Sequence, residues 1–413
     1  MRSSFSLRWL PFLLVIFTIF LAGCLQERMS PAVKNAVEAV TAAYAPDSRV
    51  AVFKIKPHLQ NDSLILSGET NLPAAKQDLL QKLGEAGITY IDQIEMLPES
   101  ALAGKEYGVV NVSVANIRSN PKHSAELATQ AILGTGLKVY KNEGDWYYVQ
   151  SPDGYLGWLD NGAFVLMDRS AYQQWLNSEK VIFTADYGLV LDAPAPRAGR
   201  LGDLVSGNIL LAGESLPGFR QAIYPDGRSG YLPEDDCMLL SDWLSDKPQT
   251  SPAVFLSSAK NFIGRPYLWG GTSGKGMDCS GFTKTVYFMN GLVIPRDASQ
   301  QVNAGVEVPT DSTFRDLQAG DFLFFGQKAG PDQPERIRHV AIYLGQGQFI
   351  HSGADNPGVR IESLWPDSPN FAAHRRESFV RARRMEAGSP GITPMQELTE
   401  FYGISLAKDP IQD

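Results

Sequence analysis

Short runs of β-branched and aromatic residues, broken by glycine and proline, fill the middle of the chain. The run that begins at Trp146 is typical of a strand in a small all-β domain. Residues 152–159 recur with substitutions as residues 225–232, and each copy predicts an Asp-Gly turn that leads into a strand. A repeated unit of about 60 residues predicts two small β-barrels, at residues 108–168 and 180–241.

Helical and strand-like periodicities alternate before the barrels. Apolar residues recur at helical spacing over residues 31–44 and 72–83, and residues 50–55, 64–66 and 88–96 look like strands. This pattern predicts a small α/β module at residues 30–106. Since the module contains no cluster of catalytic side chains, we expect it to have a stabilising or assembly role.

The last third of the chain predicts helices packed on an antiparallel sheet. Helices are expected from Pro252 and Cys279, and strands from near Phe322, His339 and Phe349. We therefore expect a multidomain α+β protein with a further domain at residues 250–385. The C-terminal tail, residues 386–413, is expected to pack loosely.

Composition narrows the possible functions. The chain has 413 residues, a net charge of -8, and 44% hydrophobic and 20% charged residues. This length allows about two to four domains of ordinary globular composition. The negative charge, without a basic stripe interleaved with aromatic residues, argues against a nucleic acid partner.

The amino terminus predicts export. Arg2 and Arg8 flank the start of an apolar run at residues 10–21. At about a dozen residues this run is too short to cross a bilayer, and it is typical of a signal peptide at residues 1–23. The small residues before Cys24 resemble the lipobox of bacterial lipoproteins, which implies that Cys24 carries a lipid and anchors the protein to a membrane of the cell envelope. Simple cleavage that leaves Cys24 unmodified is the alternative.

Among the three cysteines, Cys279 has the strongest case for chemistry. It follows the glycine-rich residues 270–276 and stands where a helix is predicted to begin, with Asp278 as a plausible N-cap. Amide N–H groups and the helix dipole favour a thiolate there, so we expect the ionised form at neutral pH. If Cys24 is lipidated and Cys279 must stay reduced for catalysis, only Cys237 remains, and it has no partner for a disulfide.

Two histidines lie downstream in strand-like runs. If residues 345–347 form a three-residue hairpin loop, Leu344 pairs with Gln348. His339 and His351 then fall on one face of the sheet. One thiol and two imidazoles are typical of papain-type catalysis, although each can also be an ordinary buried residue. The three could also bind zinc, but no close-spaced Cys or His pair accompanies them, so no metal or other cofactor is expected.

Six short motifs follow one another in the last third of the chain. They are Tyr267-Leu268-Trp269-Gly270-Gly271, Asp278-Cys279-Ser280-Gly281, Pro295-Arg296-Asp297 with Gln301, Gly320-Asp321-Phe322, His339-Val340-Ala341-Ile342-Tyr343 and His351-Ser352-Gly353. Over residues 250–385 they resemble, in order, the motifs of the NlpC family of bacterial murein peptidases. The two barrels resemble bacterial SH3-like domains.

This resemblance implies a papain-like catalytic domain with Cys279 as the nucleophile, His339 as the base and His351 as the residue that orients the base. Similar family members cut the bond between γ-linked D-glutamate and a diamino acid in peptidoglycan stem peptides. Tyr267 matches a tyrosine whose hydroxyl faces the oxyanion pocket, although an aromatic packed under a loop is an equal alternative.

Five further residues are candidates for substrate contacts. The resemblance implies that Asp278 receives the ammonium of a free N-terminal L-alanine, as the matching aspartate does in similar enzymes. Ser280 and Arg296 are candidates for the D-glutamate α-carboxylate, because a guanidinium binds a carboxylate through two hydrogen bonds. In relatives with two barrels the first barrel closes the cleft, which makes Glu126 and Tyr155 candidates for the ammonium, although each can be an ordinary surface or barrel residue.

The sequence thus favours a lipid-anchored cysteine peptidase of the cell envelope that releases L-alanyl-γ-D-glutamate from stem peptides with a free L-alanine. A wall-binding scaffold with an inert triad is the alternative from a different class. An amidase or acyltransferase on the same thiol scaffold is the third.

Overall fold

The computed structural model describes residues 30–247, 251–311, 313–355 and 358–403. The predicted signal peptide, Cys24 and the last ten residues lie outside these ranges. Within them, no helix has both the length and the apolar character that crossing a membrane requires.

The N-terminal module is a three-stranded sheet covered by two helices. Pro31 occupies the first turn of its first helix, and the Ser30 hydroxyl accepts a hydrogen bond from Ala32 N–H at the cap. The elements are α1 Pro31–Tyr44, β1 Phe53–Gln60, β2 Ser63–Thr70, α2 Pro73–Glu85 and β3 Tyr90–Met96. Strand β1 therefore begins three residues later than the sequence predicted. Strand β2 pairs antiparallel with β1 and parallel with β3.

This module docks on the first barrel. Val52 and Leu97 of the module are buried with a group of barrel aromatics that includes Trp146. At the edge of this apolar contact, Lys141 of the barrel forms an ion pair with Glu69 of the module at 2.7 Å. Burial of apolar surface at the contact fixes the module relative to the barrel.

The two barrels share one topology. Each is a seven-stranded sheet, and with strands numbered within each barrel the order is 7-1-4-5-6-2-3 in the first and the same order reversed in the second. The first has β4 Tyr107–Val110, β5 Val114–Arg118, β6 Leu127–Ile132, β7 Gly136–Glu143, β8 Trp146–Gln150, β9 Leu156–Asp160 and β10 Phe164–Met167. After α3 Arg169–Asn177, the second has β11 Lys180–Phe183, β12 Tyr187–Leu191, β13 Arg200–Val205, β14 Ile209–Leu216, β15 Phe219–Ile223, β16 Ser229–Pro233 and β17 Cys237–Leu239.

In the last domain, a buried helix packs on a six-stranded antiparallel sheet. After α4 Leu240–Ser245, the elements are α5 Pro252–Lys260, β18 Thr272–Ser273, β19 Gly276–Met277, α6 Cys279–Phe288, β20 Leu292–Val293, α7 Ala298–Gln301, β21 Val306–Val308, β22 Phe322–Gln327, β23 Arg336–Gly345, β24 Gln348–Gly353, β25 Gly358–Ser363, α8 Ala373–Glu377 and β26 Phe379–Arg384. The order of the six strands is β21-β26-β22-β23-β24-β25. Phe282 and Val286 of α6 lie in one apolar core with Val340 of the central strand β23.

The C-terminal segment packs tightly as far as residue 403, so the expectation of a loose tail was wrong there. Strand β27, Thr393–Pro394, pairs with β20, and the short helix α9, Thr399–Tyr402, follows. Met395 and Tyr402 are buried in an apolar cluster with Trp243 of α4. The sequence could not show this, because the apolar surface that these residues cover exists only where several domains meet.

Candidate active site

Cys279 is the first residue of α6, and the preceding Asp278 caps the helix. Asp278 Oδ1 accepts a hydrogen bond of 2.7 Å from Gly281 N–H, and Oδ2 accepts one of 3.0 Å from Gly270 N–H. Gly270 has φ of 80°, and a Cβ at this position would lie 2.1 Å from the backbone oxygen of Leu127 in the first barrel. The cap therefore joins the helix, the glycine-rich loop and the adjoining barrel.

Arg296 completes this cluster. Its guanidinium, 1% exposed, holds Asp278 through two bonds of 3.1 and 2.7 Å. It also donates to Ser280 Oγ at 3.0 Å and to Thr129 Oγ1 of the first barrel at 3.0 Å. The guanidinium fork expected to bind a substrate carboxylate thus already binds a carboxylate of the protein.

These contacts show a structural role for three residues that were also predicted to contact the substrate. Five donors surround the Asp278 carboxylate, from Gly270, Ser280, Gly281 and twice from Arg296. A substrate ammonium would have to compete with them. Asp278, Ser280 and Arg296 therefore share a role in holding the start of α6. All three also line the cavity beside Cys279, so their contacts with a substrate stay predictions.

The protonation state expected for Cys279 was wrong. Burial and, to a smaller extent, the charge of Asp278 raise the pKa of the Cys279 thiol to about 12, against the opposing effects of the Val340 N–H, the Arg296 charge and the Ser280 N–H. Amide N–H groups near the helix start stabilise the thiolate, but the loss of water around the sulfur destabilises it by more. With this raised pKa the thiol is neutral at pH 7.

The two histidines come together across a hairpin whose loop differs from the predicted one. Gly345 pairs with Gln348, so the loop is only Gln346 and Gly347, both with positive φ, as in a type I′ turn. A bulge leaves Leu344 without a cross-strand partner and restores the predicted pairing at the next residues. Both histidines consequently lie on one face, as expected, although for a different reason.

A chain of polar contacts runs through the histidine pair. His339 Nε2 lies 2.7 Å from His351 Nδ1, and His351 Nε2 lies 3.0 Å from Glu362 Oε2. If His351 donates its Nε2 proton to Glu362, its Nδ1 accepts the proton of His339 Nε2. Nδ1 of His339 is then an unprotonated nitrogen that can act as a base. Burial, followed by the neighbouring His351, holds the pKa of His339 well below its usual value.

Glu362 is a residue that the sequence did not single out. It lies on β25, and Arg360 donates to its Oε1 at 2.8 Å. Although burial alone raises its pKa, hydrogen bonds from His351 and Arg360 lower the pKa of Glu362 below its usual value. Alternation along the strand predicts that Glu362 points to the same face as Arg360. The sequence does not predict how β25 is aligned with β24, and this alignment is what places Glu362 beside His351.

Two cavities meet at the thiol. Cys279 and Tyr267 line both of them, and His339 lines the second. Burial raises the pKa of Tyr267, so its hydroxyl stays protonated and can donate a hydrogen bond. Within the described part of the chain, no group of three or more His, Cys, Asp or Glu side chains is arranged to hold a metal ion.

The first cavity ends against the first barrel. Tyr155 donates its hydroxyl proton to Asp297 Oδ2 at 3.1 Å, and Glu126 accepts a bond of 2.7 Å from Trp269 Nε1. Both predicted barrel residues therefore line the cleft together with Asp297, which the sequence did not single out. Asp297 directly follows Arg296, but only the fold shows that its carboxylate faces Tyr155.

The chain is similar to known proteins over most of its length. It matches the NlpC/P60 family over residues 264–373 and the bacterial dipeptidyl-peptidase SH3 domain over residues 117–164. It is 31% identical over 267 residues to the gamma-D-glutamyl-L-lysine dipeptidyl-peptidase of Bacillus cereus, covering 63% of this chain and 75% of that protein. Dipeptidyl-peptidase 6 of Lysinibacillus sphaericus is 28% identical, covering 64% of this chain and 93% of that protein. A crystal structure of an NlpC/P60 family protein from Bacillus cereus has a TM-score of 0.57 and 25% identity, covering 68% of this chain and all of that one.

Replacing Glu362 by glutamine tests the polar chain. The amide can donate to His351 Nε2, which would invert the direction of the hydrogen bonds and leave His339 Nδ1 protonated. We expect kcat to fall roughly 10- to 100-fold with little change in KM. Steady-state kinetics check this, with Glu307→Gln, an exposed carboxylate of the same domain, as the control. Equal kcat for both variants would contradict the role of Glu362.

The pH dependence of kcat/KM tests the protonation states. Because the pKa of His339 is lowered, this residue remains an unprotonated base in mildly acidic solution. The acid limb of the kcat/KM profile, which reports the free enzyme, is expected below the ordinary histidine pKa. An acid limb at or above the ordinary histidine value of about 6.5 would show that burial does not control this residue.

Proposed function

Because this chain belongs to the NlpC/P60 family of cysteine peptidases, we propose that it hydrolyses the bond between γ-linked D-glutamate and the diamino acid of peptidoglycan stem peptides. The family membership and the multidomain α+β fold with a papain-like domain and SH3-like barrels agree with the expectation from the sequence. The observation that carries the proposed reaction is the contact of 2.7 Å between His339 and His351 beside the cavity that Cys279 and His339 share.

The neutral thiol sets the order of the proposed steps. His339 Nδ1 takes the thiol proton as Cys279 Sγ attacks the γ-carbonyl carbon, and the same proton then goes to the departing amine. Water attacks the resulting thioester, with His339 again taking a proton, and releases the γ-carboxylate. The N–H of Cys279 and the hydroxyl of Tyr267 are the proposed donors to the oxyanion.

The first cavity supports a preference for peptides with a free N-terminal L-alanine. Asp297, Tyr155 and Glu126 offer oxygen atoms at its closed end, where an ammonium would be favourable and a bulky glycan-linked group would meet the barrel. Arg338 is exposed and lines the cavities on both sides of the thiol. Because Arg296 already binds Asp278, Arg338 is a second candidate beside Arg296 for the D-glutamate α-carboxylate.

The side chains that line the second cavity fit a leaving group that carries both a positive and a negative charge. Arg375 and His374 line it together with Asp355, and Arg375 is largely buried over the ring of Phe325. A diamino acid has at least one amine and one carboxylate that could meet these side chains. This matches the diamino acid side of the proposed bond.

We further propose that the protein acts in the cell envelope, held to a membrane by a lipid on Cys24. The support is the sequence alone: a short apolar run followed by small residues and a cysteine. Such an anchor would keep the enzyme close to stem peptides during wall remodelling or recycling.

Paired peptides test the reaction and the need for a free amine. We expect L-alanyl-γ-D-glutamyl-diaminopimelate to be cleaved to L-alanyl-γ-D-glutamate, and its N-acetyl form to be cleaved at least 10-fold more slowly, since it lacks the ammonium and is bulkier. Mass spectrometry identifies the products, with Cys279→Ala as the inactive control. Equal rates would remove the amine requirement but retain the bond. Binding without cleavage by the wild type would favour the scaffold, and acyl transfer to an added amine would favour the acyltransferase.

A fatty acid label tests the anchor. Full-length protein expressed in bacteria is expected to incorporate labelled palmitate and to sediment with membranes, and Cys24→Ala is expected to lose both properties. Cys237→Ala, at a buried cysteine, is the matched control. An unlabelled wild-type protein would indicate simple cleavage of the signal peptide.

A further inference from the structure

The N-terminal module reaches the end of the first cavity through the loop between α1 and β1. Arg49, in this loop, donates through Nη1 to Asp297 Oδ2 at 2.6 Å and to Ser299 Oγ at 3.0 Å. Its side chain, 38% exposed, lines the same cavity as Cys279 and Tyr155. Arg49 is therefore part of the cleft wall, although it lies 230 residues before Cys279 in the sequence (279 minus 49).

The position of this arginine is fixed from three directions. Asp47 accepts from its Nε and Nη2, each at 2.8 Å, and also accepts from Gln300 of the last domain at 2.8 Å. The backbone oxygen of Arg49 accepts a bond of 2.8 Å from Leu156 N–H, next to Tyr155 in the barrel. The guanidinium is thus held in place before any ligand arrives, which lowers the entropic cost of its contacts.

One carboxylate joins the three domains at this point. Asp297 Oδ2 receives both Arg49 and the Tyr155 hydroxyl, whereas Oδ1 lies 3.9 Å from the nearest nitrogen of Arg296. The carboxylate also accepts a hydrogen bond from the Gln300 N–H as the cap of α7, so Arg49 and this N–H together fix its orientation. The remaining lone pairs of the carboxylate and of the phenol oxygen are then available to a cation. The Arg49 side chain also occupies space at the end of the cavity next to Asp297 and Tyr155.

We propose that Arg49 determines substrate specificity: it forms the end wall of the amino side of the cleft and positions Asp297, so that only peptides ending there in a free ammonium bind productively. This gives the N-terminal module a part in substrate recognition beyond stabilising the fold. The inference rests on the proposed peptidase function. It adds the residue that closes the cleft at the amino terminus of the substrate.

The physical consequence of removing the guanidinium is twofold. Asp297 loses its strongest orienting partner, so the ammonium of a free-amine peptide loses part of its binding contact. The space left by the side chain can admit an acyl group, so an N-acylated peptide gains access. The two changes act in opposite directions on the two substrates, which a general loss of stability cannot do.

Arg49→Ala tests the proposal with the same free-amine and N-acetyl peptides. We expect the ratio of their kcat/KM values to fall at least 10-fold, through a loss on the free-amine peptide and a gain on the N-acetyl peptide. Arg49→Lys keeps the cation and most of the length but cannot bind Asp47 and Asp297 at once through a fork, so its ratio is expected to lie between those of the wild type and Arg49→Ala. Lys76→Ala, which removes an ion pair of 2.9 Å with Asp92 elsewhere in the module, is the control for stability.

Binding measured without turnover separates this inference from the proposed reaction. In a Cys279→Ala background, calorimetry with both peptides should show the same loss of preference when Arg49→Ala is added. If the wild type cleaves neither peptide but the binding preference depends on Arg49, the reaction is wrong and the specificity role stands. If Arg49→Ala lowers cleavage or binding of both peptides equally, like Lys76→Ala, Arg49 is only structural and the inference is overturned.

Discussion

The site depends on one buried carboxylate. Asp278 caps α6, binds the glycine-rich loop and receives both arms of Arg296, which in turn contacts the first barrel. Removing one partner of such a buried pair leaves an uncompensated charge and typically costs about 3–5 kcal/mol. The reactive sulfur therefore has a fixed position because the residue before it is held by groups from several segments of the chain.

The same burial shapes the chemistry. Excluding water raises the pKa of Cys279 and lowers that of His339, so the resting pair is neutral. Proton transfer then has to accompany attack on the carbonyl, and the base must have the correct tautomer. The chain from His339 through His351 to Glu362 meets that requirement, because each contact defines which nitrogen of the next ring carries the proton.

Residues from three domains form the end of the cleft that is proposed to recognise the substrate, whereas the reacting groups all come from the last domain. The last domain alone supplies the thiol, both imidazoles and Glu362. The closed end of the cleft combines Asp297 of that domain with Tyr155 of the first barrel and Arg49 of the N-terminal module. The chemistry can therefore stay constant in such a fold while substrate choice changes through the domains attached to it.

The sequence by itself determined the helices α1, α2, α5 and α6, the repeated barrels and the identity of the thiol and histidines, because these follow from periodicity and local motifs. It predicted the shared face of His339 and His351 but not the bulge at Leu344, whose effect equals one residue of loop length. Only the tertiary structure decided that Arg296 binds Asp278, that Glu362 joins the histidines and that Arg49 reaches the cleft. These contacts link distant segments, and the balance between burial and charge that sets the Cys279 pKa exists only once those segments have excluded water.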